Sequence, residues 1–360
     1  MKRSAITSPG NHGSHIVKAV AAAAVLVVLF AFPAAVGSPY ALHIMILLFL
    51  SIIMGESWNI LGGYTGQYSV GHAAYFGTGA YTTMLLMQYH HVPPWYGMCA
   101  GVAAATAVAL VIGSICFRLR GPYFVLASIA AAEIIRLAAL NLKDATNGAE
   151  GILATEIPPL KIGPILITDF LTKTPFYYTG LSLAILTVII TWLVQHSKLG
   201  YYFQAIREDQ DAAHSLGISL NLYKNLALVI SAALTSLAGS FYAVYIGFID
   251  PGGVLSLDMS VQIVLICIIG GIGTIFGPVA GALVLVPLSE ALRSNIIAQW
   301  LFNAGLVHED SPPGIFLKEN LAHAHVLIYG ILVVVVILFM PDGVLGFIRK
   351  TASAKGWRKS

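Results

Sequence analysis

The stretch YYFQAIREDQDAAHSLGISLNLYKN, residues 201–225, places Arg207, Glu208, Asp209 and Asp211 within five positions. The flanking runs 174–197 and 225–249 contain no charged residue at all. Three further uncharged runs cover 19–55, 57–117 and 259–289. A helix needs about 20 apolar residues to cross a bilayer, so the two longest runs each hold more than one crossing. The whole chain of 360 residues is 58% hydrophobic and 10% charged, with a mean hydropathy of +0.82. A soluble domain carries about 25% charged residues. A polar surface for a water-soluble body of this length cannot be built from so few charges. The expected fold is all-α: a polytopic helical membrane protein.

Breaks at Pro, Gly and charge divide the apolar material into about ten transmembrane helices. They are expected near 18–37, 41–61, 70–89, 94–117, 122–142, 179–197, 225–248, 258–274, 277–297 and 323–341, with loops at 143–178 and 298–322. The first apolar run follows Lys2 and Arg3 and has two readings, a spanning helix or a cleavable signal. Lys and Arg distribution orients the layout. With the N-terminus in the cytoplasm, the inside set is Lys2, Arg3, Lys18, Arg118, Arg120, Lys198, Arg207, Lys224 and the basic residues from Arg349 to Lys359. The outside set is the smaller one: Lys143, Lys161, Lys173, Arg293 and Lys318. Both termini are therefore expected inside, with 1–17 a cytoplasmic tail, 18–348 the membrane domain and 349–360 a basic cytoplasmic tail. That tail reads as topogenic and membrane-surface charge, with no nucleic-acid partner implied. Cys99, Cys116 and Cys267 lie in apolar segments without paired spacing, so neither disulfide nor metal is implied.

This orientation puts 198–224 in the largest cytoplasmic loop. Residues 202–216 favour helix and Gly217 is a natural stop. Phe203, Ile206, Ala213 and Leu216 share a face, leaving Glu208, Asp209 and Asp211 to water. So short a helix buries little alone, which leaves a docking element or an ordinary solvated loop. The chain has no Gly-x-x-x-x-Gly-Lys-Ser/Thr phosphate loop, and Gly271-Ile272-Gly273 lacks the third glycine of a dinucleotide site. Nucleotide binding by this chain is not expected.

Asp211-Ala212-Ala213 followed by Gly217 resembles the Glu-Ala-Ala-x-x-x-Gly loop of ABC importer permeases, with Asp in place of Glu and without the Ile-x-Leu-Pro ending. The blocks WNILGGYTGQYSVGHAAYFGTGAY (58–81), FRLRGPYFVLASIAAAEIIRL (117–137), SKLGYYFQAIREDQDAAHSLGI (197–218), AGSFYAVYIGFIDP (238–251), GGIGTIFGPVAGA (270–282) and YGILVVVVILFMPDGVLG (329–346) are similar to the branched-chain amino acid permeases of the LivM type. The resemblance spans roughly 41–348. It implies a permease subunit of an importer in a bacterial inner membrane, carrying Leu, Ile or Val, with urea or another small amide solute as the alternative cargo. It also implies partners: ATP-hydrolysing subunits, a second homologous permease chain and a periplasmic substrate-binding protein. ATP would be used by those subunits and no cofactor bound here. By the same resemblance Arg207, Glu208, Asp211, Ala212, Ala213 and Gly217 couple the permease to the ATPase.

Inside the membrane, Tyr64, Gln67, Ser69, His72 and Thr78 lie among several glycines. Irregular backbone at depth is tolerated where it is buried in protein or lines a cavity, so close packing and contact with substrate are both open. The glycines at 270, 271, 273, 277 and 281 read as a tight turn, with a gating hinge as the alternative. Glu133 and Arg136 stand at i and i+3 and can pair on one helix face; charge in lipid defaults to function, and a structural ion pair competes with that reading. Glu56 can join them or snorkel. A stand-alone secondary transporter is the rival class, short of midplane relay groups. A membrane enzyme lacks a nucleophile or metal constellation.

Overall fold

The computed structural model describes residues 12–154, 161–162, 165–166, 172–293, 330–331, 334, 338 and 343–346. Helix α1 (His12–Ala35) is followed by α2 (Pro39–Trp58), whose path continues as a π-helical stretch, Asn59–Tyr64. Then come α3 (His72–His90), α4 (Pro94–Cys116), α5 (Pro122–Asn141) and the short α6 (Lys143–Thr146). After α7 (Lys173–His196) lie α8 (Lys198–Glu208) and α9 (Gln210–Ser215). The series closes with α10 (Leu220–Ile246), α11 (Pro251–Val254), α12 (Leu257–Gly270) and α13 (Gly277–Arg293). Pro sits in the first turn of α2, α4 and α5, where its missing N–H costs nothing.

Among the described residues, six helical segments are long and apolar enough to cross a membrane: Pro39–Tyr64, Pro94–Cys116, Pro122–Asn141, Lys173–His196, Leu220–Ile246 and Pro251–Gly270. Ala23–Ala35 and Gly277–Ala291 are shorter apolar helices. The expectation of about ten is thus matched in part. Helix α3 forms where expected but carries His72, Thr78 and Thr83, and it is shielded by α4 and α10 rather than by its own apolarity. The expected helix 323–341 and loop 298–322 fall outside the described residues apart from a few positions, as do both chain ends.

Two corrections concern 143–178, expected to be loop. Helix α7 begins at Lys173, and the preceding segment contains α6 and three two-residue strands. Strand β1 (Ile152–Leu153) pairs antiparallel with β4 (Phe248–Ile249), Ile152 opposite Ile249, while β2 (Lys161–Ile162) pairs with β3 (Ile165–Leu166). These short ladders satisfy backbone groups that a structureless loop leaves open.

Helices α2 and α10 are the most deeply buried. Helix α10 packs against α3 and α4, while α2 packs against α7, α13, α10 and α12. Glycine permits the closest crossing: a Cβ on Gly239 would lie 1.9 Å from the Phe76 carbonyl oxygen, and one on Gly79 2.3 Å from that of Ser236. Helix α1 docks on α7 through a defect of its own. Pro33 has no N–H for the Leu29 carbonyl four residues back, and the Tyr177 hydroxyl donates to that carbonyl at 2.7 Å.

This packing sorts the connections onto two ends. One end gathers 59–71, 117–121, 197–219 and 271–276, linked by contacts such as Arg207 to Gly63 and Asn59 to Thr274. The opposite end holds 142–154 and 247–256, joined by the β1–β4 pair. These are the groups that the charge distribution assigns to the inside and the outside.

Candidate coupling surface and membrane site

The charged patch stands at the first of these ends. The expected single helix over 202–216 is two helices, α8 and α9, broken at Asp209. Asp is a poor mid-helix residue and a strong N-cap. Asp209 adopts an extended conformation and its carboxylate accepts hydrogen bonds from the Asp211 and Ala212 amides at 2.8 and 2.9 Å. Gly217 closes α9 at φ +86. The Ile218 amide reaches the Ala213 carbonyl and the Gly217 amide that of His214, which is a Schellman ending.

Phe203 and Ile206 are buried and anchor α8, Phe203 joining a cluster with Ile60, Leu61, Tyr64, Val194 and Leu228. Ala213 is buried beneath α9. Leu216, expected on the same face, is instead 83% exposed: it lies past the last turn of α9, at the C-cap, where the chain turns at Gly217. Glu208, Asp211, Ala212 and Gly217 are exposed. Arg120 pairs with Asp211 at 2.9 Å, with both side chains mostly in water; such a pair contributes about 0–1 kcal/mol and leaves Asp211 accessible. Lys224, buried, donates to the Gln210 side chain at 2.8 Å and holds the start of α9. The result is a small protruding knob on a firmly held base. Arg207 is exposed as well, and its Nη1 donates to the Gly63 carbonyl at 2.9 Å.

The residues proposed for the membrane pathway are not brought together. The buried Tyr64 hydroxyl donates to Gln195 at 3.4 Å. Ser69 accepts the Trp58 indole N–H at its carbonyl, 2.7 Å, and the Gly71 amide at Oγ. His72 Nε2 meets Ser231 Oγ at 2.8 Å, and Thr78 donates to the Ala74 carbonyl in its own helix. The Tyr64–Gln195 and His72–Ser231 contacts join helices, such bonds contributing about 0.6 kcal/mol apiece on average in membrane proteins, whereas those of Thr78 and of the Ser69 hydroxyl are local. Gln67 differs: it lines a cavity of about 480 Å³ with Gly66, Tyr68, Phe124, Leu126 and Gln210, at the end that carries the knob.

Glu133 and Arg136 form a two-pronged ion pair on α5, Nε to Oε2 at 2.8 Å and Nη2 to Oε1 at 2.5 Å. Their side chains remain 44% and 27% exposed on a face that also shows Leu126, Ile134 and Leu137. Glu56 neither joins them nor snorkels. It is wholly buried on α2, beside the Thr191 side chain of α7, and neither carboxylate oxygen has a hydrogen-bond partner in standard geometry among the described residues. Sequence reasoning also missed Ser231 and Thr235, which bond to His72 and Ser57. Their i, i+4 spacing in an otherwise apolar helix was the available signal. Asn59 was missed too: its amide accepts from the Gly273 N–H at 2.8 Å and donates to the Thr274 carbonyl at 2.9 Å.

Six helical segments long and apolar enough to cross a membrane, among the described residues, define a multi-pass membrane protein. Comparison narrows it. The family described as branched-chain amino acid transport system / permease component matches residues 40–337, and the chain belongs to that family. It is 29% identical to the high-affinity branched-chain amino acid transport system permease protein LivM of Escherichia coli (strain K12), over 83% of this chain and 74% of that protein. LivM of Salmonella typhimurium is 28% identical over the same shares. The autoinducer 2 import system permease protein LsrC of Enterobacter sp. (strain 638) is 31% identical over 36% of this chain and 39% of its own. No solved structure matches the chain.

Proposed function

We propose that this chain is the translocating subunit of an ATP-driven importer that carries branched-chain amino acids across a bacterial inner membrane. The observation that supports it most is the α8–α9 knob: exposed acidic and small residues on a buried Phe203–Ile206 base, at one end of the bundle. A solvated loop needs no such anchoring. The exposed Glu208, Asp211, Ala212 and Gly217 form the contact with an ATP-hydrolysing subunit, which supplies ATP chemistry that this chain lacks. A soluble binding protein delivers cargo at the opposite end, where β1 and β4 pair. A second, homologous permease chain covers α5, whose half-exposed ion pair is costly against lipid. Glu133 and Arg136 then border the passage, where opposite charges suit a zwitterion. Gln67 lines its cavity nearer the knob.

Reconstitution in liposomes with the partner subunits tests the reading: ATP should drive uptake of leucine, isoleucine or valine, and omission of the ATPase should abolish it. Uptake that persists without ATPase favours a secondary transporter. The partial match to LsrC supports a second reading on cargo, a solute other than an amino acid, which competition by urea and by small polyols or sugars in the same assay resolves.

A further inference from the structure

Three elements meet at the knob end through side chains that packing alone does not require. Arg207, one residue before the end of α8, runs its stem across Gly66: a Cβ there would lie 3.2 Å from Arg207 Cγ. Its Nη1 donates to the carbonyl of Gly63 at the end of the π-helical stretch, where the last carbonyls of a helix have no following donor. The same nitrogen lies against the turn between α12 and α13, 2.5 Å from where a Cβ on Gly273 would sit. Asn59, in that π-helical stretch, grips the turn from the other side through both its amide atoms. The turn itself cannot carry ordinary side chains easily, since Gly271 and Gly273 have φ of +124 and +75. Single-turn π segments recur at functional sites.

Resting on the importer reading, we propose that Arg207 is the transmission residue of this permease: it passes displacement of α8 to the π-helical end of α2 and to the α12–α13 turn, and does not itself grip the ATPase. The physical reason is economy of contacts. Helix α9 touches the rest of the chain mainly through Ala213, Gln210 and the exposed Asp211 pair. Arg207 is the point at which α8 touches both Gly-rich segments together, hydrogen-bonded to the Gly63 carbonyl and lying against Gly273. A planar guanidinium makes directional bonds that a single ammonium does not reproduce. When the knob is pulled, the Gly63 carbonyl and the Gly273 backbone are drawn with it. The glycine turn between α12 and α13 thereby becomes a driven hinge rather than a passive bend.

The test uses the complete complex in liposomes, with radiolabelled leucine as probe and leucine imported per ATP hydrolysed as readout. R207M keeps the stem over Gly66 and removes every donor. It should still co-purify with the ATPase subunit, while the ratio falls at least tenfold; R207K should recover part of the loss. Gly273→Ala attacks the contact from its far side without touching Arg207 and should uncouple similarly. If R207M misfolds, Gly273→Ala decides. A wild-type ratio in R207M or in Gly273→Ala overturns the proposal, as does loss of the ATPase from R207M during purification, which would make Arg207 a gripping residue. Failure of the wild-type complex to import leucine with ATP is a different result: it overturns the importer reading itself.

Discussion

Single residues show most clearly what the one-dimensional pattern carries. Gly217 was legible as a helix stop, and its φ of +86 shows why: only glycine adopts that conformation freely. No atom lies within 4 Å of a Cβ built there, so Gly217→Val is a test of strain rather than collision. It should cost about 1–2 kcal/mol locally, release the ATPase in pull-down, and leave the melting temperature of the purified permease nearly unchanged. Gly239→Val is the contrasting case. A Cβ 1.9 Å from the Phe76 carbonyl pushes α3 off α10, so loss of monodisperse protein on size exclusion is expected, with overpacking of this kind costing about 1–3 kcal/mol or more. Arg207 and Glu56 were the residues least open to reading. Arg207 sits in a charged, helix-prone run, and nothing nearby in the chain says that Gly63 and Gly273 will lie within its reach. Glu56 was open to two readings, joining Glu133 and Arg136 or snorkelling, because its position near the end of α2 is visible in sequence, whereas its burial against Thr191 of α7 is not.

At the scale of elements, apolar run length and Pro or Gly breaks located α2 through α5 to within a few residues, because crossing a bilayer imposes a length that composition reveals. Two elements escaped. The π-helical continuation Asn59–Tyr64 depends on tertiary contacts of Asn59 and Gly63 with the α12–α13 turn, which lies more than two hundred residues downstream. The α8–α9 break depends on one side chain choosing a capping bond over helix continuation. Asp209→Ala removes that cap, at a cost of about 1 kcal/mol, and favours a continuous helix. The knob should then rotate away from its docking position, lowering ATPase affinity in a titration of the permease by about tenfold. Phe203→Ala probes the base: truncation of a buried aromatic costs about 3–5 kcal/mol, so α8 should lose protection in hydrogen exchange while the α3–α10 crossing keeps its own.

For the whole molecule, the packing gathers the loops into the two groups that the expected helix order implies, and the charge bias names one of those groups as the expected inside. Positive-inside counting used only Lys and Arg, while the structure brings together 59–71, 117–121, 197–219 and 271–276 through hydrogen bonds and close backbone approaches. What remained hidden was the division of the polar membrane residues: Tyr64 and His72 hold helices together, Ser69 and Thr78 bond locally through their hydroxyls, and Glu133 and Arg136 turn outward. A sequence shows that a polar residue is present at depth but not which neighbour satisfies it. The layout predicts that single cysteines at Ser215 and at Gly252, in a background without the native cysteines, are labelled from opposite faces of sealed vesicles. The most direct measurement replaces Ala212 with a photo-cross-linking benzophenone residue in the assembled, ATP-hydrolysing complex. The knob account predicts a covalent adduct with the ATPase subunit from position 212 and none from position 252; an adduct from 252 alone, or an ATPase bound normally while position 212 reacts only with solvent, would contradict it.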